Sequence, residues 1–306
     1  MENENIIYIT NGVTQDGFGA RMHRAINTMA FTFFIRDTYD INVEYVHTPF
    51  SYEGFGEDFS LHEKGREFAC KHPHGNPYDE INRDGYLKRA FLWDEHMNYV
   101  GKTINDSDIN DLQVIDAMDF GKKSLFNDIS NRNIKNKLYI IKYLQNEFNS
   151  GHFDINMVDK YYSEIRNRFM FDLNEDNNEI ILQIRRKDAM DFGDIRYIGD
   201  EYYLDILKEL EPYKKQYNIS VRTQRSNFDF TKYVGWNIIY DDEEEDYDLF
   251  KKMVVSKVLV VGKTSFSVAA AFLNKNIIVY PNQIARGLDR YVNKEEFIEL
   301  IRNGKL

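Results

Sequence analysis

The sequence predicts an α/β protein built from two domains. Near the N-terminus, an apolar strand at 6–10 is followed by a glycine-containing turn at 11–19, a helix at 20–36 with one apolar face, and a strand at 42–47. This order of elements is typical of the opening of an α/β unit. A second series of alternating strands and helices begins at residue 179. The 306 residues are enough for two domains of about 150 residues each.

A polar, turn-forming segment at 174–178 marks the expected domain boundary, with an N-terminal domain at 1–173 and a C-terminal domain at 174–306. Residues 50–100 are irregular and rich in Gly, His, Tyr and Phe, and they predict a long loop region. Further helices of the N-terminal domain are predicted near 107–117, 133–149 and 156–171.

In the C-terminal domain the apolar pattern predicts a regular alternation of elements. The predicted strands cover 179–184, 218–222, 236–240, 257–262 and 276–280. The predicted helices cover 201–217, 247–256, 266–273 and 295–302. The last helix is a candidate to pack back on the N-terminal domain.

Composition excludes several classes of protein. The net charge of −11 argues against a nucleic-acid partner, because an acidic chain repels a phosphate backbone. Cys70 is the single cysteine, so a disulfide within the chain is impossible. The acidic start at 1–5 does not resemble a signal peptide, and no apolar run approaches the roughly 20 residues that span a bilayer. We therefore expect a cytoplasmic protein without a transmembrane segment.

Three consecutive cations follow the predicted strand at 179–184. The segment reads Gln183-Ile184-Arg185-Arg186-Lys187-Asp188. Strand ends in open α/β sheets are where ligands bind, and guanidinium groups match phosphate oxygens in a bidentate manner. The segment therefore predicts an anion site. The alternative is a solvated strand end with local ion pairs.

Hydroxyl side chains mark the start of the helix that follows the strand at 257–262. Gly262 and Lys263 lead into Thr264, Ser265, Phe266 and Ser267. Free N–H groups and the helix dipole favour phosphate at such a position, although Ser and Thr are also ordinary N-cap residues. A P-loop is excluded, because position 257 is Lys where that motif requires glycine.

A third segment, Gly17-Phe18-Gly19-Ala20-Arg21-Met22-His23, joins the first strand to the first helix. Glycines allow a backbone to approach a ligand closely. This arrangement occurs in many α/β folds, so the segment alone is weak evidence.

Together these segments resemble the α-1,2-, α-1,6- and protein O-fucosyltransferase superfamily. Residues 17–23 look like its N-terminal glycine motif, and 184–188 look like its H-x-R-R-x-D signature. Residues 199–203 resemble the stretch before the next helix, and 248–253 followed by 264–267 resemble the last motif. Gln183 replaces the usual His, and Val221-Arg222-Thr223-Gln224 stands where many relatives have a Ser/Thr-Asp-Asp run.

The resemblance implies a GT-B-like fold, in which two Rossmann-like domains face each other across a cleft. It implies GDP-fucose as the donor, a glycan acceptor, inversion at the anomeric carbon and no required metal or other cofactor. Its site residues fall into four groups: Arg185 and Arg186 would hold the diphosphate; Thr264, Ser265, Phe266 and Ser267 would line the phosphate and nucleotide pocket; Gln183 and Asp248 would contact the nucleotide; and Gly17, Phe18, Gly19 and Arg21 would face the donor.

An inverting transfer also needs a base for the acceptor hydroxyl. Asp191 and Asp194 follow the arginine motif, where an α-1,6-type relative would carry an acid, and we favour them over His23. Loop solvation is the alternative for both. The acidic run at 241–246 is interpreted as a solvated loop and not as a metal site.

Other functions stay open on the sequence alone. The donor could be UDP-xylose or GDP-rhamnose. The replacement at Gln183 also leaves room for a non-catalytic glycan-binding or scaffold protein on a degenerate transferase fold. An unrelated Rossmann-type phosphate binder is a further alternative, since fold does not fix function. The sequence predicts no particular oligomeric state.

Overall fold

The computed structural model describes residues 6–11, 18–50, 92–95, 102, 112–116, 122–133, 135, 137–141, 155–169, 178–186, 197–224, 229–240, 243, 245–281 and 290–306. The chain divides into two compact units, Met1–Met170 and Phe171–Leu306. The boundary predicted from the sequence, between residues 173 and 174, lies close to this division.

The N-terminal unit is an α/β unit with a parallel sheet. Its strands are β1 (Ile7–Asn11), β2 (Val43–Tyr45), β3 (Gln113–Asp116) and β4 (Lys137–Ile141). Its helices are α1 (Phe18–Tyr39), α2 (Lys122–Ser130) and α3 (Ile155–Arg168). The described strands form a sheet in the order β2–β1–β4–β3, and every pairing is parallel.

Helix α1 packs through a face of apolar side chains that recur every three or four residues. Four of these are buried: Met22, Ile26, Met29 and Phe33. At its C-terminal end, Arg36 donates two hydrogen bonds of 3.0 Å to the Glu164 carboxylate of α3. The first helix is therefore fixed to the third by both packing and charge.

Two helices predicted for the N-terminal domain were wrong. Strand β3 lies within the predicted helix at 107–117, and strand β4 lies within the one at 133–149. β4 is a short, buried apolar run, which periodicity cannot distinguish from a buried helical segment. Helix α2 was not predicted, whereas α3 agrees with the helix expected at 156–171.

The C-terminal unit follows the predicted alternation closely. Its strands are β5 (Glu179–Ile184), β6 (Asn218–Thr223), β7 (Asn237–Tyr240), β8 (Val258–Val260), β9 (Ile277–Val279) and β10 (Tyr291–Val292). Its helices are α4 (Asp200–Leu210), α5 (Asp246–Val255), α6 (Ser265–Leu273) and α7 (Lys294–Arg302). Short 3₁₀ turns lie at Glu211–Tyr213 and Thr231–Tyr233. Helix α4 ends before the predicted residue 217 because Pro212 lies in the turn that follows it, and strand β10 was not predicted.

The described strands of this unit form a parallel sheet in the order β7–β6–β5–β8–β9–β10. Numbered from β5, this is the 3-2-1-4-5-6 order of a doubly wound Rossmann sheet. The predicted α/β class is thus confirmed, with a parallel sheet in each unit. The strand order reverses between β5 and β8, which makes their carboxyl ends the topological switch point.

Strand β5 is buried along its whole length at the centre of the C-terminal core. Ile180, Leu182 and Ile184 join one apolar cluster with Phe297 and Ile301 of α7. On the surface, Lys294 pairs with Asp205 at 2.8 Å and Arg302 pairs with Glu209 at 2.5 Å, so α7 is bonded to α4 at both ends. The final helix, the candidate to pack back on the N-terminal domain, packs in the C-terminal unit.

Among the helices in the described part of the chain, none has the length and apolar character needed to cross a membrane.

Candidate functional site

The topological switch point brings the arginine segment and the hydroxyl-rich segment together. Strands β5 and β8 are parallel neighbours, so the segments that follow them leave the sheet at the same edge. The contact is close, since a Cβ atom on Gly262 would lie 2.5 Å from Gln183 Oε1 and 2.6 Å from the Gln183 carbonyl oxygen. Only a residue without a side chain allows this approach.

The turn after Gly262 is organised by capping bonds. Thr264 is the N-cap of α6, and its Oγ1 accepts a hydrogen bond of 3.1 Å from the Ser267 backbone N–H. The buried Ser267 hydroxyl donates to the Gly262 carbonyl oxygen at 3.1 Å. The capping interpretation is therefore confirmed for Thr264, while the Ser267 hydroxyl is bonded within the same turn.

The first residues of α6 still present donors at the switch point. Ser265 and Phe266 are half-buried, and for their backbone N–H groups the described residues offer no acceptor. Such groups at a helix start carry positive partial charge and suit an anion. The Phe266 ring lies 5.6 Å from the ring of Phe250, so that side chain packs between α5 and α6.

Arg186 is enclosed by the protein. The residue is 1% exposed, and its Nη2 donates to Asp200 Oδ1 at 2.6 Å. Its Nη1 donates to the Arg185 carbonyl oxygen at 2.9 Å, and its guanidinium lies 4.9 Å from the Tyr197 ring centre. Both terminal nitrogens of Arg186 thus donate inside the unit, and the diphosphate contact predicted for Arg186 stays a prediction. Arg185, by contrast, is half-buried at the strand end.

Asp200 is the centre of this buried network. One oxygen accepts hydrogen bonds from Arg186 and, at 2.9 Å, from the Tyr233 hydroxyl, while the other lies 3.3 Å from Lys232 Nζ. Burial alone would raise the pKa of Asp200, but the hydrogen bonds from Arg186 and Tyr233 hold it below its usual range. Burial and the bond to Asp200 raise the pKa of Tyr233. At neutral pH the network therefore contains a carboxylate, a guanidinium and a neutral phenol.

The other two nucleotide-contact candidates have different surroundings. Gln183 is 5% exposed, and its amide oxygen lies against Gly262. Asp248 is exposed in the first turn of α5, where its charge favours the helix N-terminus.

The N-terminal glycine motif leads into helix α1. Phe18 is its first residue, Gly19 is half-buried, and Arg21 is 3% exposed. Arg21 Nη2 donates to the Pro49 carbonyl oxygen at 3.4 Å, and its guanidinium lies 5.4 Å from the Phe50 ring centre. The Arg21 guanidinium is therefore held inside the N-terminal unit.

Several predicted residues lie outside the described part of the chain. These are Gly17 and the two candidate bases, Asp191 and Asp194, whose roles stay predictions. His23 is described and buried. Burial and the nearby charge of Arg24 lower the pKa of His23 to about 4, so its imidazole is neutral at pH 7.

A buried chain of polar side chains in the N-terminal unit was not predicted from the sequence. The Tyr45 hydroxyl donates to Asn11 Oδ1 at 2.6 Å and lies 3.3 Å from His47 Nδ1. His47 Nε2 lies 3.3 Å from Asp94 Oδ1. Since Asp94 is far from His47 in the chain, no spacing pattern connects the two. Asp200 was likewise missed as the partner of Arg186, although an acid in the first turn of the next helix was visible.

Comparisons with known proteins give distant structural likenesses. The sequence matches no protein-family model and no curated protein. An E. coli heptosyltransferase WaaC structure with ADP is similar over 97% of this chain and 99% of its own, with 9% identity and a TM-score of 0.46. POFUT1 in complex with GDP-fucose is similar over 96% of this chain and 98% of its own, with 8% identity and a TM-score of 0.42. TM-scores below 0.5 do not establish a shared fold.

Replacing Gly262 with alanine should destabilise the protein by about 2 kcal/mol. The new Cβ would collide with the Gln183 backbone oxygen, which cannot move independently of strand β5. The free energy of unfolding in urea measures this loss. Gly199→Ala is the control, because its Cβ meets only the flexible Glu201 carboxylate at 3.0 Å, and its cost should not exceed about 1 kcal/mol. If both variants lost the same free energy of unfolding, the close approach of Gly262 to Gln183 would be contradicted.

Replacing Asp200 with asparagine should lower the free energy of unfolding by about 3 kcal/mol at pH 7, because it leaves the buried Arg186 charge without its carboxylate partner. The folded-state pKa of Asp200 is lowered, so its stabilising contribution is complete above the unfolded-state pKa of about 4 and is lost as pH falls through the folded-state value. The free energies of unfolding of wild type and variant should therefore become more similar as the pH falls below 5.

Urea unfolding at pH 7, 5 and 3.5 measures that difference. Asp205→Asn is the matched control, because its carboxylate is half exposed and its pair with Lys294 is worth about 1 kcal/mol or less. If the difference in free energy of unfolding between wild type and Asp200→Asn did not change with pH, the carboxylate charge would not be what stabilises the network.

Proposed function

We propose that the C-terminal unit binds the diphosphate of a nucleotide sugar and that the protein is a glycosyltransferase. One observation carries the proposal. The switch point of a Rossmann-ordered sheet joins an arginine-bearing strand end to a helix start with available N–H groups. This is the crevice in which open α/β sheets bind their ligands.

The diphosphate would be held by backbone and side-chain donors together. The N–H groups of Ser265 and Phe266 would bind phosphate oxygens along the axis of α6. The Arg185 guanidinium, at the end of β5, would add a charge-assisted contact. Lys263 is half-buried beside Gly262 and would supply a further positive charge. Thr264 and Ser267 would shape the turn through their capping bonds.

Arg186 would act through its neighbour. Its bond to the Arg185 carbonyl and its pair with Asp200 fix the backbone from which the Arg185 side chain extends. Preorganised donors stabilise charge that develops during reaction without having to reorient. The Arg186–Asp200 pair would thus position Arg185 for the leaving diphosphate.

The reaction we propose is an inverting, metal-independent transfer to a glycan hydroxyl, most specifically of L-fucose from GDP-fucose. The donor rests on the resemblance of residues 184–188 and 264–267 to the fucosyltransferase motifs. UDP-xylose and GDP-rhamnose are the alternative donors. Asp191 or Asp194 would take the acceptor proton, and Asp248 would contact the nucleotide.

A non-catalytic glycan-binding protein on the same fold is the second candidate. The use of Arg186 inside the unit and the presence of Gln183 in place of His favour it. It predicts nucleotide binding without turnover, whereas an enzyme releases nucleoside diphosphate.

A donor screen tests the proposal. Incubation of GDP-fucose, GDP-rhamnose or UDP-xylose with a glycan acceptor should release nucleoside diphosphate as the sugar passes to an acceptor hydroxyl or, more slowly, to water. The cognate compound at 100 times its Kd should stabilise the fold by about 2.7 kcal/mol. Arg185→Ala should weaken diphosphate binding about 10- to 100-fold, through loss of one charge-assisted contact.

Arg302→Ala is the matched control, because that arginine is exposed on the surface of α7 in a pair with Glu209, and binding should be unchanged. Calorimetric titration with GDP measures each affinity. Equal affinity in wild type and Arg185→Ala, or no response to any nucleotide sugar, would overturn the proposal.

A further inference from the structure

Four polar side chains are linked to one another at the carboxyl-end edge of the N-terminal sheet. They are Asn11 at the end of β1, Tyr45 at the end of β2, His47 shortly after it, and Asp94 in the helical turn at 92–95. Asn11, Tyr45 and His47 are each at most 5% exposed. We call these four residues the polar chain. The proposed glycosyl transfer uses none of them.

Three links connect the members of the polar chain. The Tyr45 hydroxyl donates to Asn11 Oδ1 at 2.6 Å and lies 3.3 Å from His47 Nδ1. His47 Nε2 in turn lies 3.3 Å from Asp94 Oδ1. The same Asp94 oxygen accepts a hydrogen bond from the Phe50 backbone N–H, as a carboxylate oxygen does. The polar chain therefore ends in an acceptor oxygen on both sides.

With an acceptor at each end, the three links need three hydrogens. Burial raises the pKa of Tyr45, so its phenol stays neutral and supplies one hydrogen. A neutral His47 supplies one more. Once Tyr45 donates to Asn11, its oxygen can only accept from His47, and the hydrogen that His47 uses there is missing toward Asp94. The neutral polar chain is therefore one hydrogen short, and the imidazolium form of His47 supplies it.

The surroundings of His47 keep this hydrogen off at neutral pH. Burial lowers the pKa of His47, the Asp94 carboxylate opposes that shift, and the charge of Arg21 on α1 adds to it. Lys102 contacts His47 through its carbonyl oxygen, which accepts from the His47 backbone N–H at 2.8 Å, while its ammonium lies 3.6 Å from Glu44. The ordinary pKa of histidine is about 6.5, so His47 is neutral at pH 7.

The segment after β2 depends on the same groups. The Phe50 backbone is bonded to Asp94, and the Phe50 ring centre lies 5.0 Å from that of His47. The Arg21 guanidinium lies 5.4 Å from the same Phe50 ring centre. A new charge on His47 therefore reaches Phe50 both through the shared carboxylate and through the ring contact.

We infer that the polar chain is a proton-binding switch of the N-terminal unit. On acidification, His47 takes up one proton, which completes the three links and joins the ends of β1 and β2 to the turn that carries Asp94. The segment at Phe50 follows, because it is bonded to the same carboxylate. This inference is independent of the proposed function, since it uses no residue of the diphosphate site.

NMR titration of the full chain, following the imidazole resonances from about pH 8 to about pH 4, tests the switch. His47 should be neutral at pH 7 and should become protonated reversibly as the pH falls, while the protein stays folded. The Phe50 backbone amide should shift with the same midpoint. A His47 that stays neutral throughout the folded range, or a Phe50 amide that does not follow it, would overturn the inference.

Tyr45→Phe shows whether the polar chain lacks a hydrogen. The substitution removes the oxygen that opposes neutral His47 and accepts from its imidazolium form, so the proton affinity of His47 should fall about 10-fold. If the Asn11 amide instead donated to Tyr45, and Tyr45 to His47, the neutral chain would already be complete. The same variant would then raise the proton affinity, and that result would overturn the inference.

Asn11→Leu gives an independent test if loss of the Tyr45 hydroxyl disturbs the fold. Without the Asn11 acceptor, Tyr45 is released to donate to neutral His47, so the proton affinity of His47 should again fall, whereas an unchanged or higher affinity would contradict the switch. Tyr139→Phe is the matched control. Tyr139 is another buried tyrosine of this unit, but its hydroxyl donates to Asp128, so the proton affinity of His47 should equal that of wild type.

Discussion

The close approach of Gly262 to Gln183 is the constraint on which the C-terminal unit depends. It occurs where the sheet order reverses, so the segments after β5 and β8 leave the sheet side by side. A side chain at position 262 would push α6 away from β5 and separate its helix start from the arginine segment. One missing Cβ therefore sets the distance between the two groups that we assign to the ligand.

The adjacent arginines after β5, Arg185 and Arg186, have different surroundings and different roles. Arg186 is buried and bonded to Asp200, whose low pKa preserves the ion pair at neutral pH. A buried pair of this kind costs desolvation energy, and it is weak evidence for stability by itself. The Arg186–Asp200 pair does have a geometric effect. It joins the end of β5 to α4 and, through Tyr233, to the 3₁₀ turn at Thr231–Tyr233. Arg185 then extends from a fixed backbone.

The sequence predicted the C-terminal unit better than the N-terminal one for a physical reason. Strand β5 is an apolar run bounded by turn residues, and its bounds agree with the prediction. The buried run of β4 is similarly short and apolar but lies between polar segments without clear breaks, so its pattern predicted a helix. Within the site, the cations and the capping hydroxyls could be found from strand ends and helix starts. The burial of Arg186 and its pairing with Asp200 depend on tertiary contacts, which no local pattern contains.

The central claim is that the end of β5 and the start of α6 bind the same anionic ligand. Residue-specific NMR titration with inorganic pyrophosphate tests it most directly, by following the backbone amides of Ser265 and Phe266 together with the Arg185 Nε–H resonance. The account predicts that all three shift along saturation curves with a single dissociation constant. Shifts confined to one of the two segments, or two clearly different dissociation constants, would contradict it.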